Sequence, residues 1–200
     1  MARDSARSLA ALAQGQGGYF TAKQAREAGY GYPHIEYHES TGTFERVEHG
    51  LYRLVAVPLA EHDDLIRLSL WSRNRSDEPQ AVVSHETALV LHDLAELLPG
   101  RTHLTVPGKF RKPAPRGVVL HKAHLLPGDV EERAGFRVTT PLRTLLDTAR
   151  GDTSQEQLGK AVQDALARGL VRRTALERAV RDTPGADRLL TRTRRGKARA

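Results

Sequence analysis

The sequence predicts an α+β protein in which a small N-terminal domain precedes a mixed α/β domain that has a buried helix and a small sheet. Three observations predict this organisation. Residues 1–58 show helical apolar spacing interrupted by glycines and end in two strand-like runs. Residues 59–183 mix amphipathic helical segments with strand-like runs between Pro- and Gly-bearing turns. Residues 184–200 begin with Pro-Gly and are rich in arginine, which predicts a basic, disordered tail.

The elements of the first domain follow the order helix, short strand, helix, tight turn, helix, hairpin. Residues 5–14 place apolar side chains at helical spacing, and a T-x-x-Q capping box that starts at Thr21 predicts the beginning of a second helix. Pro33 opens a third helix, and His49-Gly50 separates two strand-like runs, which is a hairpin signal. This order is that of a winged helix-turn-helix, whose second and third helices dock on DNA.

The third predicted helix supplies the candidate DNA-reading face. If Ile35 faces the core, a rotation of about 100° per residue places the hydroxyls of Tyr37, Ser40 and Thr41 toward solvent, where they can donate to phosphates or base edges. Glu36 on the same face is repelled by the DNA backbone and is tolerated mainly against a cytosine amine. The predicted DNA-binding residues are Lys23, Arg26, His34, Tyr37, Ser40, Thr41, Arg46, His49 and Arg53.

The net charge of +7 is unevenly distributed along the chain. Residues 1–58 carry six basic and six acidic side chains, whereas residues 59–100 are net acidic and the basic excess lies in residues 101–200. The segment 101–122 contains no acid at all. Such a basic field attracts polyanions through counterion release, so we expect it to support DNA binding. The residues of this supporting basic patch are Lys109, Arg111, Lys112 and Arg116.

The second domain is predicted to be built around one buried helix over residues 82–98, capped by Ser84. Strands are expected at 102–106, 117–122 and 136–139, and a helix is expected to begin at Thr140-Pro141. Two further T-x-x-E patterns, which begin at Thr153 and Thr174, predict capping boxes at the starts of two more helices.

These motifs together resemble the AbiEi antitoxin family over about residues 8–180. The N-terminal likeness lies in the segments 18–25, 37–38, 44–47 and 50–54. The likeness to the family's second domain lies in the segments 84–89, 104–107 and 140–147.

The resemblance implies a transcriptional regulator of a type IV toxin-antitoxin system that represses its own operon at inverted repeats. Its expected partners are double-stranded operator DNA and, functionally, a nucleotidyltransferase toxin that the second domain opposes. We expect a cytoplasmic monomer or weak dimer that is not an enzyme and uses no cofactor or metal. Relatives commonly place basic residues near Ser40, Thr41 and Thr43, and this chain departs from that pattern. The third helix therefore offers few basic side chains for contacts with DNA phosphates.

Composition limits other classes of function. The absence of cysteine excludes disulfides, thiolate nucleophiles and sulfur-based zinc sites. No apolar run approaches the roughly 20 residues needed to cross a bilayer. Ser84-His85-Glu86 contains triad residue types, but neighbours on one helix point 100° apart and are not expected to bond to each other. His121 and His124 lie near Asp129, Glu131 and Glu132 without a recurring ligand spacing.

Two alternative functions stay open. A metal-dependent nuclease needs converging carboxylates and a lysine, for which the chain offers Asp147, Asp152, Glu156, Asp164, Glu177, Asp182 and Lys160. A protein-binding module without DNA affinity gains support from Glu36, Glu39 and Glu48 on the surface that would face DNA. Salt-dependent binding to the upstream DNA separates a regulator from a protein-binding module.

Overall fold

The computed structural model describes residues 2–96 and 100–190, which divide into two compact units. The first unit comprises the chain up to Gln80 together with Glu132–Phe136. The second comprises Ala81–Glu131 and the chain from Arg137 onward. Within the described residues, every helix is too short or too polar to cross a membrane.

The first unit has the predicted order of elements. Its three strands form an antiparallel sheet in the order β1-β3-β2, with the central strand supplied by the second arm of the hairpin. The elements are α1 (Ala2–Gln14), β1 (Tyr19–Thr21), α2 (Ala22–Glu27), α3 (Tyr32–Ser40), β2 (Phe44–Glu48), β3 (Leu51–Leu54) and α4 (Asp63–Trp71).

The capping box at the start of α2 is confirmed. The Gln24 backbone N–H donates to the Thr21 hydroxyl at 3.1 Å, and the Thr21 N–H donates to the Gln24 side-chain oxygen at 2.8 Å. Gly29 follows the end of α2 with φ +96°, a conformation that glycine adopts without a Cβ clash. The turn therefore closes tightly, and α3 begins only a few residues later with Pro33 in its first turn.

Aromatic packing fixes the first unit. Phe20 is fully buried, and its ring lies 4.9 Å from Phe44 in an edge contact and 5.8 Å from Tyr52 in a stack. Leu9 of α1 and Ile35 of α3, each 1% exposed, belong to the same cluster. This core anchors α3 against the sheet from one side and leaves its other side to solvent.

The first unit extends beyond the sequence-based boundary at residue 58. Helix α4 contacts β1, and the Tyr19 hydroxyl donates to the Asp63 carboxylate at 2.6 Å. Burial, together with this bond, raises the pKa of Tyr19 to about 12. The division of the chain into compact units falls after Gln80 because α4 packs with the winged domain.

The second unit combines a five-stranded sheet with four helices among its described residues. The strand order is β6-β5-β4-β8-β7, with β5 parallel to β6 and β4 parallel to β8. The remaining elements are β4 (Val82–Val83), α5 (His85–Leu91), β5 (Thr102–Val106), β6 (Val118–Lys122), β7 (Val130–Arg133), β8 (Phe136–Thr139), α6 (Pro141–Ala149), α7 (Gln155–Ala167) and α8 (Arg173–Asp182), of which Glu132, Arg133 and Phe136 are counted in the first unit.

The buried helix predicted over 82–98 is shorter than expected. Val82 and Val83 form strand β4 instead, because a short apolar run with β-branched residues fits a buried strand as well as a helix. The helix itself is α5, His85–Leu91, and residues 97–99 lie outside the described residues. The prediction of a side-chain cap at Ser84 is also wrong, since Ser84 occupies the N-cap position without a capping bond.

The two later capping boxes are not formed. Helix α7 is capped by Ser154, whose hydroxyl accepts from the Gln157 N–H at 3.2 Å, so Thr153 lies one residue too early. Helix α8 begins after Arg172 without a side-chain cap, so Thr174 is already inside the helix. A shift of one residue at α7 and of two residues at α8 is enough to remove the reciprocal bonds of a capping box.

The core of the second unit continues into the segment predicted as a tail. Ala186 is fully buried and Leu189 is 2% exposed, and both pack with Leu145, Leu158 and Leu176. Residues 184–190 are therefore part of the fold, which corrects the predicted start of the tail. The predicted disorder of residues 191–200 falls outside the described residues.

Candidate nucleic-acid interface

Helix α3 exposes the face that the sequence predicted. Ile35 is 1% exposed and holds the helix on the core, whereas His34, Tyr37, Ser40 and Thr41 are exposed. The Tyr37 side chain is well exposed, with 62% of its surface accessible. The helix therefore presents an aromatic hydroxyl, an imidazole and two aliphatic hydroxyls on the side away from the core.

The hydroxyls near the end of α3 are held by the helix itself. Ser40 donates to the Tyr37 carbonyl at 2.8 Å, and Thr41 donates to the His38 carbonyl at 3.3 Å. Both hydroxyl oxygens keep lone pairs that can accept from a base amine, and both can rotate to donate to a phosphate. His38 differs because its ring stacks on Phe44 at 4.7 Å, so it anchors the helix.

The cations of α2 border this face. Arg26 lies over the Tyr32 ring with 5.5 Å between the guanidinium carbon and the ring centroid, a cation–π contact. Lys23 donates to the Arg75 carbonyl at 2.9 Å and lies 3.8 Å from Glu27. Both side chains are exposed and can reach a ligand at a small cost, because their present contacts are at the surface.

The hairpin of β2 and β3 forms the wing. Arg46 and His49 are exposed, with 3.5 Å between a guanidinium nitrogen and the imidazole Nδ1. The strand register shifts between Arg46 and Glu48, and Gly50 turns the chain at φ +73°. Glu48 forms an ion pair with Arg67, which reduces the negative charge at the wing.

Arg53 does not belong to the exposed set. Its side chain is 14% exposed, donates twice to the Glu45 carboxylate at 3.0 and 3.1 Å and donates to the Val57 carbonyl at 2.8 Å. A guanidinium held by three bonds on a central strand stabilises the sheet and is not free for DNA. We therefore remove Arg53 from the predicted contacts.

Sequence reasoning missed Tyr32, the first residue of α3, which is 60% exposed beside Arg26. The available signal was its place at the N-terminus of the reading helix, the part that contacts base edges in helix-turn-helix proteins. The sequence predicts that this helix begins at Pro33, so the contacts predicted on it begin at His34 and omit Tyr32.

The basic patch of the second unit lies in the connection between the parallel strands β5 and β6. Phe110 in this connection is 4% exposed and anchors it, while its cations point outward. The exposed cations are Lys109, Arg111, Lys112 and Arg116. The sequence from 101 to 122 holds no carboxylate that would neutralise them.

The residues proposed for a nuclease site do not converge. Asp147 is 6% exposed, and both of its oxygens accept from Arg143 at 3.0 Å. Burial raises the pKa of Asp147 despite that pairing. Lys160 lies on the surface 3.6 Å from Glu156. Across residues 2–96 and 100–190, no group of three or more histidines and carboxylates is arranged to hold a metal ion.

Ser84 and His85 do contact each other, which corrects the sequence argument. The Ser84 hydroxyl lies 2.9 Å from the His85 Nδ1, because Ser84 is extended and His85 has φ +53° rather than helical geometry. Ser84 is nevertheless fully buried and accepts from the Thr105 hydroxyl at 2.8 Å. Its oxygen is inaccessible to a substrate, so the pair is not a nucleophile and base.

The first unit thus has the helix order, exposed reading helix and wing of a winged helix-turn-helix, joined to a mixed α/β unit. Residues 7–55 match the family model described as transcriptional regulator, AbiEi antitoxin. Residues 81–195 match the model described as AbiEi antitoxin C-terminal domain. The chain belongs to the AbiEi antitoxin family, and its two domains support a role as a toxin-antitoxin regulator.

A solved structure shares the fold. The crystal structure of the Rv2827c protein from Mycobacterium tuberculosis aligns with a TM-score of 0.59 at 18% identity, covering 94% of this chain and 75% of that one. No curated protein matches the chain.

Proposed function

We propose that the chain is a DNA-binding repressor, the antitoxin of a type IV toxin-antitoxin system, that binds inverted repeats upstream of its own operon. The observation that carries the proposal is the exposed face of α3, where Ile35 is buried while Tyr37, Ser40 and Thr41 face solvent beside the wing. Helix-turn-helix proteins read base edges with such a face. The family match to a transcriptional regulator supports the same conclusion.

The basic patch supplies affinity that the first unit lacks. The first 58 residues are charge-balanced, and α3 contains no lysine or arginine. Four exposed cations at 109–116 release counterions when they contact phosphates, which makes binding fall steeply with salt. Direct readout by α3 and the wing then selects the sequence, while the patch holds the backbone.

The test is binding of the full chain to its own upstream DNA at two salt concentrations. With the four patch cations on phosphates, affinity should fall about 100-fold between 50 and 200 mM salt. Scrambled DNA of the same length should bind much more weakly than the operator at both concentrations. Absence of binding, or equal binding to both sequences, rejects the proposed repressor function.

A second candidate is a protein-binding module, favoured by one observation. Glu36 is exposed on α3 and lies beside Tyr32 and Tyr37, so the face carries acid and aromatic surface but no cation of its own. Such a face suits a basic protein segment as well as DNA. The substitution Glu36→Gln separates the two functions. It should strengthen or retain non-specific DNA binding, whereas it should weaken the binding of a basic protein partner.

The antitoxin role has a separate test. Co-expression of the chain with a nucleotidyltransferase encoded beside it should restore growth that the toxin alone suppresses. Because a type IV antitoxin opposes its toxin without a tight complex, rescue should occur while the two proteins do not co-purify. Failure to rescue would leave a repressor without an antitoxin role. We propose no catalytic activity for either domain.

A further inference from the structure

Three histidines meet in the second unit, and none of them is among the residues proposed to contact DNA. His85 begins α5, His103 lies on β5 and His121 lies on β6. The His85 and His121 rings stack with centroids 3.5 Å apart at 16°, and the His103 Nδ1 lies 3.0 Å from the His121 Nε2. We call these three residues the imidazole cluster.

The strand register explains how the cluster forms. His121 on β6 pairs with Thr105 on β5, and side chains two residues apart on a strand share a face, so His103, Thr105 and His121 point the same way. The start of α5 covers that face, and the Ser84 backbone N–H donates to the His103 carbonyl at 3.0 Å. The cluster therefore lies where the start of α5 packs on the two parallel strands β5 and β6.

Hydrogen bonds favour a neutral His85. The Thr105 hydroxyl donates to the Ser84 oxygen, which leaves the Ser84 hydrogen free to donate to the His85 Nδ1. An imidazole that accepts at Nδ1 carries its proton on Nε2 and has no extra charge. Burial, followed by the neighbouring His121 and His103, lowers the pKa of His85 to about 3. Burial and His103 also lower the pKa of His121.

The charged groups around the cluster have opposite effects on the protonation of its histidines. Glu86 on α5 has one carboxylate oxygen 3.2 Å from the His103 Nδ1, and the other accepts from the Thr153 hydroxyl. Arg143 of α6 and Arg150 after it act on His85 with positive charge, which disfavours its protonation. Glu86 and Asp147 of α6 favour protonation of His121. The carboxylates therefore act on His103 and His121, whereas the guanidiniums act on His85.

We propose that the imidazole cluster is a proton-sensitive latch, which holds the start of α5 on β5 and β6 when neutral and releases it when the cluster takes up protons. The stacked rings cannot both carry a charge at 3.5 Å without repulsion in a partly buried site. The direction of the pH dependence follows from the linkage between proton binding and folding. A histidine whose folded pKa lies below its unfolded value of about 6.5 contributes stability that is complete above pH 6.5 and is lost as the pH falls toward the folded value.

The test measures urea unfolding of the full chain between pH 8 and pH 4, together with exchange of the α5 amides. Below pH 6.5 the unfolding constant of the wild type should rise by up to about tenfold per pH unit for each proton that only the unfolded chain accepts. His85→Asn should remove one such proton, and asparagine tolerates the left-handed backbone at φ +53°. His124→Asn, at an exposed histidine outside the cluster, is the matched control and should keep the wild-type dependence.

Two further measurements keep the proposal falsifiable. If His85→Asn fails to fold, His121→Asn replaces it, and the imidazole resonances of the nine histidines report titration directly. One resonance should stay untitrated down to about pH 5 and be absent in His85→Asn. Parallel pH curves for wild type and the cluster variant that folds would overturn the latch. Stabilisation by added zinc chloride that His85→Asn abolishes would also overturn it, in favour of a metal centre.

Discussion

The two surfaces proposed for DNA differ in the acidic residues that surround their cations. Around α3 and the wing, Arg53 is tied to Glu45, Arg67 is tied to Glu48 and Arg26 lies over Tyr32. In the basic patch at 109–116, the cations are exposed and the surrounding sequence has no acid. The first surface is thus suited to positioning hydroxyls and acceptors against bases, and the second to attracting the backbone.

The largest expected effect comes from neutralising the basic patch. Replacing Lys109, Arg111, Lys112 and Arg116 by glutamine should weaken DNA binding on the order of 100-fold at 0.15 M salt and reduce the slope of log affinity against log salt by about 3.6. The measurement is a fluorescence-anisotropy titration of the full chain over several salt concentrations.

A matched control removes the same charge elsewhere on the second unit. Arg172, Arg173, Arg178 and Arg181 of α8 and its cap are exposed, so their replacement by glutamine changes net charge equally. If DNA responds to net charge alone, both quadruple variants will lose the same affinity. The proposed division between the two surfaces requires a clearly smaller loss for the α8 variant.

The next largest effect concerns recognition of the operator sequence by α3. Tyr37→Phe removes one exposed hydroxyl and leaves the ring, so operator affinity should fall about five- to tenfold, the value of one hydrogen bond. Affinity for scrambled DNA should not change. Tyr32→Phe, at a similarly exposed tyrosine at the helix start, shows whether the effect is particular to Tyr37. Equal losses on operator and scrambled DNA would mean that Tyr37 contacts the backbone only.

Arg46 and Arg53 test the same comparison inside the wing. Arg53→Ala should lower the free energy of unfolding by about 1 to 2 kcal/mol, because it breaks charged hydrogen bonds on the central strand, with little change in the salt slope. Arg46→Gln should leave stability unchanged and reduce the slope by about 0.9. Urea unfolding and anisotropy measure the two quantities. Reversed results would return Arg53 to the DNA contacts.

The winged unit could be predicted from sequence because its signals are local. The Thr21 capping box, the glycine stops and the His49-Gly50 turn each fix one boundary within a few residues. The exposed face of α3 followed from one buried residue, Ile35, and the helical period. Arg53 could not be excluded in this way, because its pairing with Glu45 depends on the register of two strands.

The second unit was less predictable because its contacts are distant in sequence. Strand β4 is two residues long and pairs with β5 and β8, which follow it much later in the chain. The imidazole cluster draws on residues 85, 103 and 121, and neither composition nor spacing joins them. The usable signal was the alternation of His103 and Thr105 on one strand, which places both on one face.

The smallest effect separates a formed capping box from sequence patterns that only resemble one. Thr21→Ala removes the side-chain acceptor for the Gln24 N–H and should cost about 1 kcal/mol of unfolding free energy in the first unit. Thr174→Ala, at an exposed position inside α8, should cost almost nothing, since alanine is also the better helix former. Urea midpoints of the full chain, followed by exchange of the α2 and α8 amides, compare the two directly. If Thr174→Ala is the more damaging change, the start of α8 lies further along the chain than Arg173, and the capping box that the sequence predicts at Thr174 is formed.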